Sequence, residues 1–144
     1  YFFGRLASDT VITRNTLTKV TSMTNSEIDT DSAFDGTTFT VPSGEGGKYF
    51  IQGTVTGDYG SVGQDGEETV ASLYKNGSSI QLATIRTSSS VTGTGRVITT
   101  VASTIQDLSA SDTIELYALT TDASGDNSKV KGEMTTLLGY KLIG

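Results

Sequence analysis

Any chemistry in this protein must come from carboxylates, hydroxyls and a few amines, because the sequence contains no His, Cys or Trp. That absence removes the Ser-His-Asp triad, the thiolate nucleophile, the histidine base and the ordinary structural zinc site. It also removes disulfides, so cysteine usage carries no information about the redox compartment. The acidic side chains group in two places: Asp58, Asp65, Glu67 and Glu68 surround the Gly-rich stretch 58–66, and Asp122 and Asp126 lie in a second polar stretch. A glycosidase needs two carboxyls about 5–9 Å apart across a sugar. Acidic loops on an acidic protein are ordinarily solvated, so no catalytic residue is assigned. Hard cations take the same oxygens, which makes calcium the one cofactor these loops suit. Asp122-x-x-Gly125-Asp126-Asn127 nevertheless lacks the spacing and terminal Glu of an EF-hand loop, so no metal site is assigned and no cofactor is expected. Tyr59 sits between Asp58 and Gly60, where a ring has little core to join and, beside carboxylates, can stack on a sugar. Asp58, Tyr59 and Asp65 are therefore the candidate ligand-binding residues; the alternative for Tyr59 is packing over a strand end or on a neighbouring subunit. Gly93-x-Gly95 and Gly44-x-Gly46-Gly47 precede no helix and no Gly-Lys-Ser/Thr, so they are not phosphate cradles. Arg86 and Arg96 are candidates to meet carboxylates at a subunit contact.

The elements that position these residues repeat with period two. Thr38 to Val41 alternates before Pro42, and Lys48 to Thr56 places Tyr49, Ile51 and Val55 on one face and Phe50, Gln52 and Thr54 on the other. Strands are expected at 69–75, 78–86, 97–108, 113–121 and 133–143. Asn76-Gly77 between two alternating runs predicts a type I′ hairpin, which needs φ > 0 at both central residues. Before residue 36 the pattern weakens: Phe2-Phe3 and 17–23 read as short strands, and 31–35 as a further candidate. No helical stripe exceeds about two turns. Nine or ten strands with regularly spaced turns indicate an all-β sandwich or jelly roll in one domain.

Composition agrees. Ser and Thr supply 42 of 144 residues and Gly 17, while only 18% are charged, which describes a pleated fold with a hydroxyl-rich exterior. Sixteen acidic against ten basic side chains give net charge -6; nucleic acid and anionic membrane surfaces both need a basic footprint, so neither is an expected partner. No run of about 18 apolar residues is present to insert in a bilayer as a helix. A start at Tyr1 instead of Met suggests a piece of a longer or processed polypeptide.

Several segments, in order, carry a resemblance. Phe34-Asp35-Gly36-Thr37-Thr38-Phe39-Thr40-Val41-Pro42, followed by Gly47-Lys48-Tyr49-Phe50-Ile51 and Val55, resembles the globular head of complement component one-q and its tumour-necrosis-factor-like relatives. Ser72-Leu73-Tyr74-Lys75-Asn76-Gly77 is similar to the family's Leu-x-Lys-Asn-Gly hairpin. Leu108 with Ser111-Asp112-Thr113-Ile114-Glu115-Leu116 resembles its Leu-x-x-Gly-Asp-x-Val-x-Leu segment, and Thr135 to Leu142 its closing strand. Ser111 stands where the family usually has Gly, Leu137 and Ile51 replace Phe, and the family's cysteine is absent.

The resemblance implies a ten-stranded jelly-roll β-sandwich that assembles as a homotrimer and binds partners without catalysis. Residues 1–15 would form an arm or first strand joining a preceding stalk or particle, and 16–144 the head. Phe50 makes its strand apolar on both faces, which calls for a second covering surface. Phe50, Leu138, Tyr140 and Leu142 are accordingly the candidate trimer interface, the alternative for Phe50 being packing under a loop of its own chain. The acidic, disulfide-free, Thr/Ser/Gly-rich composition resembles heads of this kind on bacteriophage and other virions. The expected role is a virion-surface fibre tip, head fibre or decoration domain, with other virion proteins and a host surface glycan or receptor as partners. The alternative is a secreted trimeric ligand or adhesin domain that binds a protein receptor.

Overall fold

A computed structural model describes residues 1–59, 67–87, 96–121 and 129–142. The twelve strands are β1 (Phe2–Leu6), β2 (Thr10–Val11), β3 (Thr18–Lys19), β4 (Met23–Asp29), β5 (Thr38–Thr40), β6 (Gly47–Asp58), β7 (Glu68–Lys75), β8 (Ser78–Arg86), β9 (Val97–Leu108), β10 (Thr113–Thr121), β11 (Lys129–Val130) and β12 (Thr136–Lys141). No helix occurs among the described residues.

All pairings are antiparallel and form two sheets. The first runs β9-β6-β12-β1-β4, with β11 and then β2 extending from the Gly57–Asp58 end of β6. The second runs β8-β7-β10, and β5 and β3 share the far edge of β10. Period-two alternation sends Tyr49, Ile51 and Val55 of β6, Leu137 of β12 and Phe2 and Leu6 of β1 inward. There they meet Ala71 and Leu73 of β7 and Ile114, Leu116 and Ala118 of β10 in one continuous core. The sheets close tightly at Gly53, where an added Cβ would lie 2.5 Å from Leu116 Cδ1 and 3.0 Å from Leu73 Cδ2. This is an all-β fold of two packed antiparallel sheets, a β-sandwich.

The Asn76-Gly77 hairpin forms as expected, with φ of 50° and 77°. It is locked to the β9–β10 turn. Asn76 Nδ2 donates to Asp112 Oδ1 at 2.7 Å, Thr113 N donates to Asn76 Oδ1 at 2.8 Å, and Asn76 N donates to Thr113 O at 3.1 Å. Lys75 Nζ lies 2.9 Å from Asp112 Oδ2, and Ser109 N also donates to that oxygen. The Asn76 amide, then the Ser109 N–H and Lys75, stabilise the Asp112 carboxylate and lower its pKa to about 2. Two motifs 36 residues apart thus form one hydrogen-bonded unit. Ser111, where the resemblance has Gly, carries φ of 72°.

The first 35 residues depart from expectation. Residues 31–35 are not a strand: the Asp29 carboxylate accepts the N–H groups of Ala33 and Phe34 at 2.9 and 3.0 Å, which curls the backbone round. The expected strand over 17–23 divides into β3 and the start of β4, with Ser22 at φ 62° between them. The last strand begins at Thr136 instead of 133, because Gly132, Glu133 and Met134 form a turn with Glu133 at φ 60°. The two-residue strands β2 and β11 were not expected.

Candidate functional site

The outward face of the first sheet is the most distinctive surface of the described residues. Residues directly opposite in an antiparallel pair share a face, so the register reads across it as rows. One row is Tyr140, Phe50 and Ile105; the next is Phe3, Leu138, Gln52 and Ser103; a third is Arg5, Thr136, Thr54 and Val101. The Phe50 and Tyr140 rings lie 5.3 Å apart, tilted by 36°. In the single protomer Ile105 is 59% exposed, Val101 47% and Tyr140 45%, while Phe50, Leu138 and Phe3 are half-buried. Leu142, just beyond β12, is half-buried and donates its N–H to Lys48 O at 2.7 Å, which keeps it beside the sheet. The Lys48–Asp107 ion pair, 2.7 Å long and well exposed, marks the polar end of the face.

The structure therefore brings Phe50, Leu138, Tyr140 and Leu142 to one side of one sheet. The β9 contributors, Val97, Val101 and Ile105, escaped the sequence reading. Their signal was present: they alternate on the parity opposite to Ile98, Ala102 and Leu108. β9 thus adds Val97, Val101 and Ile105 to the outward side beside Phe50 of β6, so apolar side chains stand among the polar Arg5, Gln52, Thr54, Ser103 and Thr136 of this face.

The described members of the acidic cluster face different cations. Asp58 Oδ2 accepts Lys131 Nζ at 3.1 Å, and the same ammonium reaches Asp9 Oδ2 at 3.2 Å. The two carboxylates raise the Lys131 pKa, Asp58 having the larger effect. The Gly132 N–H, then Lys131, lower that of Asp9. Glu67 is fully buried and pairs with Arg96 at 2.7 Å. Glu68 pairs with Arg86 at 2.7 Å and accepts Thr84 Oγ1 at 2.8 Å, contacts that lower its pKa. Three carboxylates close in sequence thus join three different cations, with Arg86 and Arg96 each meeting a carboxylate within the protomer. Among the described residues, no three Asp or Glu side chains converge to hold a metal ion.

Tyr59 is not a surface ring. It is 5% exposed, and its hydroxyl reaches Glu68 O at 2.5 Å and Thr69 Oγ1 at 2.6 Å. Its N–H donates to Arg96 O at 2.9 Å. A ring so enclosed and tethered offers no face for a sugar to stack on. It ties the end of β6 to β7 across the sandwich. Asp65 and the 122–127 loop lie outside the described residues.

No protein-family model matches the sequence, and a search of the curated proteins finds no match.

Proposed function

We propose that this protein is a non-enzymatic, homotrimeric head domain of the complement-one-q and tumour-necrosis-factor-like kind, built as a ten-stranded jelly roll. Three strands have only two residues; keeping β3, which pairs with β10, and setting aside β2 and β11, which extend the first sheet past the end of β12, leaves ten strands, five in each sheet. The polypeptide passes repeatedly between sheets, from β5 to β6 to β7 and from β8 to β9 to β10, as a jelly roll requires. Ser111 at positive φ, in the place of the family's Gly, and the interlocked Lys-Asn-Gly hairpin support the same reading.

The observation that carries the proposal is the apolar patch of Tyr140, Phe50, Ile105, Leu138 and Val101 on the outward face of the first sheet. Three copies related by a closed three-fold axis would each cover this face with the edge of the next, removing Ile105, Val101 and Tyr140 from water. Glutaraldehyde cross-linking of the purified protein is expected to stop at a three-subunit band. A ladder without a stop, or a one-subunit band only, contradicts it.

We place this head on the outside of a virus particle, as a fibre tip or decoration domain acting through its surfaces. The acidic, hydroxyl-rich, disulfide-free composition supports that placement. An antibody to the protein is expected to decorate intact particles; labelling of cell-secreted material instead would favour a soluble ligand of a protein receptor.

A further inference from the structure

Asn76-Gly77 is the one Asn-Gly pair in the sequence. Such a pair is chemically labile because glycine leaves the following amide nitrogen sterically open. The Gly77 nitrogen gives its proton to solvent base and attacks Asn76 Cγ. The new N–Cγ bond closes a five-membered succinimide as the bond between Cγ and Nδ2 breaks and ammonia leaves. Water then opens the ring: cleavage of N–Cγ gives aspartate, and cleavage between the nitrogen and the Asn76 backbone carbonyl carbon gives isoaspartate.

Nothing shields this pair by burial. Asn76 and Gly77 are both exposed, and an added Cβ on Gly77 would meet no atom within 4 Å. What opposes the reaction is the hold on the Asn76 amide. Both of its polar atoms are directed at the β9–β10 turn: Nδ2 at Asp112 Oδ1, and Oδ1 at Thr113 N and, at 3.2 Å, Thr113 Oγ1. For Cγ to reach the Gly77 nitrogen, the amide must leave those partners.

We infer that Asn76 is a latent deamidation site which the Asp112–Thr113 turn keeps closed. Conversion also undoes the contact that held the amide. An aspartate at this position has no donor for Asp112, so two carboxylates face each other where an amide and a carboxylate now pair, and the hairpin separates from the turn. The modified protein is then less tightly held between β7–β8 and β9–β10.

Incubation at mildly alkaline pH, followed by mass spectrometry of the tryptic peptide 76–86, reads the conversion directly. Native protein, protein unfolded in guanidinium and native Asp112→Ala are compared, with circular dichroism reporting which samples are folded. Native Asn76 is expected to convert at least about tenfold more slowly than in the unfolded protein, the weight of its side-chain hydrogen bonds, and folded Asp112→Ala to recover most of that difference. Asp112→Asn, which keeps an oxygen acceptor in place, is expected to lie nearer the wild type. Equal rates in native and unfolded wild type would overturn the inference, whatever Asp112→Ala does. So would a folded Asp112→Ala no faster than its parent.

Discussion

Replacing Ile105 by Asp separates the stability of one protomer from that of the assembly. In the single protomer Ile105 is 59% exposed and lies opposite Phe50 on the outward face. Fully burying an isoleucine is worth about 1.5–3 kcal/mol, so more than half of that gain, roughly 1–2 kcal/mol, is still available to each copy on association. Three copies would together contribute about 3–5 kcal/mol, equivalent to a factor of roughly 10²–10⁴ in the assembly constant. An aspartate forfeits this gain and brings a charge into a surface that must lose water, so these figures are lower bounds. The folded single protomer should scarcely notice: exposed substitutions away from special features cost within about 0.5 kcal/mol, and strand propensity adds less than about 1. Sedimentation velocity across a dilution series, with urea unfolding of the same samples, reads both quantities. The variant is expected to sediment as one protomer at concentrations where the parent sediments as three, with an unfolding slope like that of the parent's dissociated protomer. An Ile105→Asp protein that associates as tightly as its parent would refute the argument that this face is the interface.

Three further outcomes follow from the fold. Gly53→Ala is expected to destabilise by about 1–3 kcal/mol, because the methyl meets Leu116 and Leu73 across the sandwich; pairing it with Leu116→Val should recover part of the loss, and denaturant midpoints that do not shift would contradict the tight closure. Ser111→Gly is expected to stabilise by about 0.5–1 kcal/mol, since an exposed serine at φ 72° gains nothing visible from its side chain and bears the left-handed strain; an unchanged or lower midpoint in urea would contradict it. Acid should weaken the fold in a defined window. The Asp112 pKa falls from 3.8 to about 2 on folding, so its contribution is complete above about pH 4 and is lost as pH falls towards 2. In urea melts across that range, Asp112→Asn should flatten this part of the stability profile, although Asp9 and Glu68, shifted in the same direction, will leave some acid sensitivity.

The long strands were legible because alternation over eight or more residues can have only one inward parity. β6 to β10 fall within a residue or two of their expected limits, and Asn76-Gly77 announced its turn through the φ values it permits. Strands of two residues have no period to read, and β2 and β11 exist only because β6 is long enough to pair beyond the end of β12. Tyr59 shows a different failure. Its neighbours Asp58 and Gly60 read as a loop, yet Tyr49, Ile51 and Val55 fix the odd parity as inward, and Tyr59 continues it with its ring against Gly57. The segment 31–35 was misread because hydrogen bonds to the Asp29 side chain, invisible to any hydrophobic period, decide its path. The charge pairs of Glu67, Glu68 and Asp58 depend on strands far apart in sequence, so a cluster in the sequence became three contacts in space.

The most direct test of the account is the solution mass of the purified protein by light scattering. Association through the outward face of the first sheet is expected to give a particle of about three times 15.1 kDa. A 15.1 kDa particle at every concentration would leave Phe50, Leu138, Tyr140 and Ile105 on the open face of a lone sandwich and contradict the proposed head.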